Sequence, residues 1–286
     1  MAIVASGTTA SPTAPAAQGV GPLLRSWRER RRISQLELAL RADSSARHIS
    51  FVETGRSRPS EEMVLRLAEH LEVPVRERNA LLLAAGYAPR YRQTPLEDPA
   101  LGPLREGLER LIRGYEPYPA LVVDATYDVV SANRGITMLL EGIPERLLAA
   151  PLNAMRLTLH PDGLAPRIRN LREWRGHLLA QMERQVALHR SAALRELYEE
   201  VAAYPVPRGA PETAQPPGQV PYFALPMRIE HDGRVLSFVS SISTFNTPMD
   251  VTVAELAIET FLPADPATVE YLHSSWAGES RGAWRE

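Results

Sequence analysis

Residues 34–60 read SQLELALRADSSARHISFVETGRSRPS, and this stretch decides the fold of the first third of the chain. Ser34 offers a hydroxyl that can cap a helix, and Glu37 follows three residues later, which is the capping-box pairing. An Asp-Ser-Ser run then interrupts the helix and provides a cap for a second one. Gly55 ends that second helix, because the residue after a helix usually needs a positive φ. The stretch predicts two short helices, over 34–42 and 45–54, joined by a tight turn.

Two such helices form a helix-turn-helix, whose second helix enters the major groove of DNA. The pattern S-Q-x-x-L-A, a turn, and then I-S-x-x-E-x-G-x-x-x-P-S resembles the Cro/lambda-repressor-like (XRE-family) class of these domains. The resemblance covers about residues 22–86 and implies an all-α domain of five helices. One departure is the turn, which reads Asp43-Ser44 where this class often has Gly-Val.

The second helix of the motif and its surroundings supply the candidate DNA contacts. Arg47 lies in the first turn, where it can donate two hydrogen bonds to a guanine; the alternative is an ordinary surface arginine. Phe51 can touch a thymine methyl group or pack in the core. Arg56 and Arg58 are expected to hold phosphates. The full set of predicted DNA-binding residues is Gln35, Ser45, Ala46, Arg47, His48, Ser50, Phe51, Arg56 and Arg58. The resemblance also implies a structural ion pair between Arg28 and Glu53.

Composition and charge narrow the class of protein. The chain has 286 residues and no cysteine, which excludes disulfides and thiolate metal sites. Residues 21–92 hold 14 arginines against 9 acidic residues, a net charge of +5, whereas the remainder carries −7. A basic segment joined to an acidic one favours a polyanion binder fused to a different module. No apolar run approaches the ~20 residues of a membrane span, so we expect no membrane association and a cytoplasmic location.

Proline and glycine content divides the chain into segments. We expect a disordered tail, the helix-turn-helix domain, a linker, an α+β domain and a second tail. These cover residues 1–20, 21–87, 88–102, 103–276 and 277–286 respectively. Residues 208–219 are rich in proline and glycine and are expected to form an exposed loop.

The second half changes to strand-like alternation. Two strands around 120–132, an Asn133-capped helix and a hairpin at Asp232-Gly233 predict an antiparallel sheet with helices on one face. This opening is similar to that of PAS-type sensor domains. Residues 166–204 are expected to be mostly helical. Their core stripe is predicted as Leu178, Met182, Val186, Ala193, Leu197 and Val201.

Three segments of this half resemble the MmyB-like ligand-binding domain, a PAS-like module. They are PALVVDATYDVVSAN at 119–133, NAMRLTLHPDGLAPRIRNLREWRGHLL at 153–179 and STFNTPMDVTVAELAIETFLPAD at 243–265. The resemblance implies a fatty-acid-like ligand, with a bound long-chain fatty acid as the effector. The candidate ligand contacts are Asn153, Arg156, His160, Asn170, Trp174 and His177. The alternatives are that the asparagines cap helices, that His160 belongs to a turn and that Arg156 is a surface charge.

Catalytic and metal-binding patterns were not found. The seven histidines form no HExxH or similar set, and no Gly-rich phosphate loop or GxSxG is present, so we expect no enzyme, no metal and no cofactor. The favoured interpretation is a homodimeric transcriptional regulator that binds a double-stranded DNA operator and a small apolar ligand. One alternative is a regulator whose second half is only a dimerisation or protein-partner module. Another is an enzyme that uses the first domain for autoregulation.

Overall fold

The computed structural model describes residues 19–189, 191–206 and 224–282. The predicted loop over 208–219 lies outside these residues, as do residues 1–18 and 283–286 of the predicted tails. The chain divides into two compact units between Arg92 and Gln93. Asn79 holds the end of the first unit through hydrogen bonds to the backbone of residues 90 and 91. Thr94, at the start of the second unit, is hydrogen-bonded to Asp250.

The first unit consists of five helices, which confirms the predicted all-α class. They are α1 (Val20–Arg30), α2 (Gln35–Arg41), α3 (Ala46–Glu53), α4 (Glu61–His70) and α5 (Val75–Ala84). Three begin at a serine whose hydroxyl accepts a backbone N–H: Ser34 before α2, Ser45 before α3 and Ser60 before α4. α1 begins at Val20, the last residue of the predicted tail. Val20 is buried and so belongs to the core of the first unit. Gly55 follows α3 with a φ of 72°, as predicted.

Gly21 allows α1 to approach the end of α3 closely. A Cβ atom at Gly21 would lie 2.4 Å from the carbonyl oxygen of Val52 and 2.7 Å from that of Glu53. Neighbouring positions on these two helices, including Leu24, Trp27 and Ile49, are buried. Only glycine fits between the two backbones without movement, so this residue sets the spacing of α1 and α3.

The second unit contains a five-stranded antiparallel sheet, which confirms the predicted α+β class. The strands are β1 (Ala120–Val123), β2 (Val129–Ala132), β3 (Met227–His231), β4 (Arg234–Thr244) and β5 (Ala257–Pro263). Their order is β2-β1-β5-β4-β3, so β5, the last strand in the chain, lies at the centre. The helices are α6 (Gly102–Arg113), α7 (Arg134–Leu139), α8 (Glu145–Leu148), α9 (Ala154–Leu159), α10 (Leu171–His189), α11 (Ala192–Ala203), α12 (Val251–Ala254) and α13 (Pro266–Gly282).

Helices cover both faces of the sheet near β1, so the prediction of helices on one face was wrong. Leu121 and Val123 belong to the larger core, which includes residues of α7, α9, α10 and α11. Ala120 and Val122 point to the opposite face, where they pack with Leu108 and Ile112 of α6. All four residues of β1 are buried for this reason.

Asn133 joins three elements through one buried amide group. Its oxygen accepts the backbone N–H groups of Ala120 and Ile136, at 3.0 and 3.3 Å. Its nitrogen donates to the carbonyl oxygens of Ile112 and Tyr118, at 3.0 and 2.8 Å. The amide therefore caps α7, as predicted, and also ties the end of α6 to β1.

The hairpin and the long helical region test two further sequence predictions. Asp232 and Gly233 both have positive φ in the two-residue turn between β3 and β4, which confirms the predicted Asp-Gly hairpin. The helical region splits, since Ser191 caps a new helix. The periodicity restarts there, so Leu194 is buried and the predicted Ala193 is exposed. The last helix also continues past the predicted end of the domain, to residue 282.

The close approach at Gly21 generates a stability prediction. Gly21→Ala should lower the free energy of unfolding of the first unit by about 1–3 kcal/mol, as overpacked sites do. Gly19→Ala is the matched control, because a Cβ there meets nothing within 4 Å. Gly19 is the N-cap of α1, where alanine is less favourable than glycine, so this change should cost less than about 1 kcal/mol. Thermal unfolding followed by circular dichroism measures both changes, and equal stability of the two variants would contradict the proposed steric contact.

Candidate functional site

α3 presents a polar, arginine-bearing face outward. Ile49 and Val52 point into the core of the first unit, while Arg47 is exposed and Ser50 is half-buried. Ser45 accepts the N–H of His48 at 3.1 Å, so its hydroxyl acts as the cap of α3. Three residues predicted to contact DNA lie at this N-terminal end of α3. Arg47 is exposed, and Ala46 and His48 beside it are half-buried.

The ring of Phe51 contacts two arginines on this face. The ring is half-buried, with the guanidinium carbon of Arg47 at 5.2 Å from its centroid and that of Arg56 at 5.9 Å. The ring thus supports the arginine side chains through cation–π contact, instead of filling the core. Both arginines are exposed, and within the described part of the chain neither takes part in an ion pair.

A buried ion pair holds the other end of α3. Arg28 donates from Nε to Glu53 Oε1 at 2.6 Å and from Nη2 to Oε2 at 3.0 Å, a two-point contact. Arg28 also donates to the carbonyl oxygen of Ile33 at 2.9 Å. The hydrogen bond to Glu53 raises the pKa of Arg28. This is the geometry that the sequence resemblance implied for the two residues.

Gln35 completes this cluster from α2. Its amide nitrogen donates to Glu53 Oε2 at 2.8 Å, so the amide group is held before any DNA is present. Its predicted DNA contact must use the remaining amide oxygen or a rearranged side chain. The hydrogen bond from Gln35 to Glu53 was not predicted from the sequence, although both residues belong to the helix-turn-helix motif.

Arg58 is braced by the protein. Its Nε and Nη2 atoms donate to the carbonyl oxygens of Ala85 and Gly86, at 3.0 and 3.3 Å. Its guanidinium carbon lies 5.1 Å from the ring centroid of Tyr87. The side chain thus binds the carbonyl groups at the C-terminal end of α5. Only its remaining N–H groups can donate to a phosphate.

The second unit contains a partly enclosed, mostly apolar cavity of about 70 Å³. It is lined by Leu121, Val129, Ile136, Leu139, Leu140, Leu152, Ala154, Met155, Leu157, Thr158, Leu164, Trp174, Leu178, Met227, Glu259 and Phe261. Trp174 is the one predicted ligand contact in this set. Its Nε1 atom is buried and has no hydrogen-bond partner among the described residues. An unpartnered buried donor costs free energy, which a ligand acceptor could recover.

The other five predicted ligand contacts lie elsewhere. His177 stacks on Trp174, with the ring centroids 5.6 Å apart. Asn153 caps α9, and Asn170 bonds the backbone at residues 226 and 228. His160 ends α9, with its ring 5.1 Å from that of Tyr204.

Arg156 is held by an ion pair with Glu200. Its Nε atom donates at 2.8 Å and its Nη2 atom at 2.7 Å. The hydrogen bonds between the two side chains are the largest cause of a raised pKa at Arg156 and a lowered pKa at Glu200. Its guanidinium group links α9 to α11 and does not line the cavity.

Glu259 is the ionisable group that sequence reasoning missed. It is the one titratable side chain among the described residues that line the cavity, and burial raises its pKa to about 7. A hydrogen bond with Ser240 opposes this shift. The signal was present in the sequence: Glu259 lies two positions from both Ala257 and Phe261, and residues two apart on a strand share one face.

No described helix is both long enough and apolar enough to cross a membrane. The same part of the chain brings no three His, Asp or Glu side chains together in a group that could bind a metal ion.

Two family models match the chain. One, described as the MmyB-like transcription regulator ligand binding domain, matches residues 104–274. The other, described as Helix-turn-helix, matches residues 24–78. Both resemblances inferred from the motifs are therefore confirmed. No curated protein matches the chain.

The raised pKa of Glu259 makes stability depend on pH. The folded pKa of about 7 lies above the ordinary value of 4.5, so the folded state keeps a proton that the unfolded state loses. The free energy of unfolding should fall as pH rises from about 4.5 to about 7 and then level off. At ~1.4 kcal/mol per pKa unit, the loss is at most about 3.5 kcal/mol, since the half-buried side chain is partly screened by solvent.

Glu259→Gln should abolish this loss and be more stable than the wild type at pH 8. Denaturant unfolding of the full chain at pH 5, 6, 7 and 8 measures the difference. Glu270→Gln, at an exposed position of α13, is the matched control. Parallel pH profiles for the wild type and Glu259→Gln would contradict the assignment.

Proposed function

We propose that this chain, which belongs to the family of the MmyB-like transcription regulator ligand binding domain, binds a DNA operator through α3 and adjusts that binding to a small apolar ligand in the second unit. A helix-turn-helix domain followed by such a domain makes the chain a transcription regulator with a ligand-binding domain. The families that match are those of regulators and not of enzymes. The observation that carries the proposal is the exposed, arginine-bearing end of α3.

The DNA part of the proposal depends on which charges remain available. Glu53 lies on α3 and would repel phosphates if it were free, but Arg28 and Gln35 bind both its oxygens. Arg47 and Arg56 carry no such pairing and lie on either side of Phe51. We assign base reading to Arg47, because residues at the start of a recognition helix come closest to base edges. We assign phosphate contact to Arg56, which follows the helix.

The two arginines should respond differently to mutation. Arg47→Ala should weaken operator binding by about 1–3 kcal/mol and relax the preference at one base pair. Arg56→Ala should weaken binding to all sequences about equally and reduce the salt dependence by about one phosphate contact. Fluorescence anisotropy on the operator and on single-base variants, at several salt concentrations, separates the two effects.

Arg41→Ala is the control for loss of charge, since Arg41 is paired with Glu37 on α2. Arg58→Ala should also weaken all complexes, but with lower thermal stability because its brace on α5 is lost. If Arg47→Ala and Arg56→Ala both lose affinity uniformly, the assignment of the base-reading residue is wrong.

We propose a homodimer, because one recognition helix reads few base pairs and a two-fold dimer doubles the contact on a palindromic site.

For the ligand we propose a fatty-acid-like molecule with an apolar chain in the cavity. The support is the lining, which is aliphatic and aromatic apart from Thr158 and Glu259. A cavity of about 70 Å³ is well below the roughly 300–1,000 Å³ of a usual ligand pocket, so a long acyl chain requires it to widen. The leucine and methionine side chains around it can adjust their rotamers to do so. The alternative, a dimerisation or partner module without a ligand, needs no such cavity.

Filling the cavity should weaken ligand binding. Purified protein should contain a co-purified lipid detectable by mass spectrometry, and saturated acids of 8 to 16 carbons should raise the melting temperature. Ala154→Leu adds three carbon atoms to the lining. It should raise at least tenfold the acid concentration needed for the same increase in melting temperature. Ala193→Leu, at an exposed position of α11, should leave it unchanged. No co-purified lipid, together with no stabilisation by any acid, would contradict the ligand.

A further inference from the structure

The alternation of β5 places Glu259 in the cavity. Ala257, Glu259 and Phe261 share one face of the strand, and the last two line the cavity. Ile258 points to the opposite face, into the cluster formed with α6. The Glu259 carboxyl group therefore occupies a position that the strand pattern reserves for a core residue.

Its neighbours across the sheet place Glu259 at the edge of the enclosed region. Leu121 of β1 is its direct partner on one side and is buried. Ile242 of β4 is its partner on the other side and is 47% exposed. The inner face of the sheet is thus covered on the β1 side of Glu259 and open on the β4 side. A ligand chain lying in the cavity would leave its polar end near this carboxyl group.

Within the described part of the chain, no cationic side chain is paired with Glu259. Ser240 is its hydrogen-bond partner, and no ion pair within the described part of the chain includes Glu259. Tyr127, from the turn between β1 and β2, lies close enough for Glu259 to raise its pKa. Arg184 of α10 acts on Tyr127 and is absent from the lining. Among the described residues that line the cavity there is no arginine or histidine to hold a carboxylate ion.

We propose that Glu259 selects the head group of the ligand: the cavity takes an apolar molecule whose polar end is a neutral hydrogen-bond donor, such as an alcohol or a protonated carboxylic acid, and disfavours an ionised carboxylate. The inference rests on the proposed function, because it presupposes a ligand in this cavity. Trp174 adds a second polar group to the lining: its Nε1–H has no hydrogen-bond partner among the described residues and offers a donor to an acceptor atom of the ligand.

Two carboxyl groups can meet here only if they share a proton. Two ionised carboxylates in one apolar site repel each other, and such pairs keep one proton between them. Below about pH 7 Glu259 itself brings that proton, since burial holds its pKa at about 7. Above this pH a fatty acid must take a proton from solvent on binding. Its affinity should then fall about tenfold per pH unit, whereas an alcohol of equal chain length should bind with little pH dependence.

Decanoic acid and 1-decanol are the probes, because they share a ten-carbon chain and differ in the head group. Binding to the full-length protein is measured by calorimetry at pH 6, 7, 8 and 9. The wild type should lose affinity for the acid about 50-fold between pH 7 and 9, because half of Glu259 is already ionised at pH 7. Its affinity for the alcohol should change less than about twofold. Glu259→Gln, which keeps the shape and removes the charge, should bind the acid with about the same affinity at pH 7 and 9.

The control separates Glu259 from other titrating groups. His177, which stacks on Trp174, and His160, at the end of α9, both remain in Glu259→Gln, so a difference between this variant and the wild type is due to Glu259. Glu270→Gln should behave as the wild type. An acid affinity that does not change with pH in the wild type would overturn the inference, as would an equal pH slope in Glu259→Gln. Binding of neither probe at any pH would overturn the proposed ligand function itself, and the inference with it.

Discussion

A carboxylate removed from water must be paired or protonated, and this constraint governs both units of the protein. Burying an isolated charge costs several kcal/mol even after the protein relaxes. Glu53 meets the requirement with a two-point contact to Arg28 and a further bond from Gln35. Glu259 meets it with Ser240 and a raised pKa. The first arrangement produces a fixed helix, and the second leaves a polar position in an apolar cavity.

The contacts at both ends of α3 give the proposed DNA-binding arginine a defined position. The Arg28–Glu53 pair and the glycine contact at Gly21 hold the C-terminal end of α3 against α1. Ser45 fixes its N-terminal end. With both ends held, Arg47 projects from a defined position, so less side-chain and backbone freedom is lost when DNA binds.

Local chemistry made most of the fold predictable, but not the cavity. Serine caps and the Asp-Gly turn act over a few residues, so the helix starts and the hairpin could be read directly. The polar residues chosen as ligand contacts, such as Asn153 and Asn170, satisfy backbone groups that become neighbours only after folding. Arg156 found its partner Glu200 across 44 positions of sequence, a distance that spacing rules do not reach. Glu259 was predictable in principle, because strand alternation alone puts it on the inner face.

The double coverage of β1 links the cavity to the start of the second unit. Leu121 contacts the cavity, while its neighbours Ala120 and Val122 pack on α6 from the other side. The strand is one residue layer thick, so the cavity and α6 share it as a common wall, and the amide of Asn133 anchors the end of α6 to that wall. Close-packed interiors transmit strain, so a substitution that enlarges a side chain on the cavity side of β1 also strains its packing against α6, the first α-helix of the second unit.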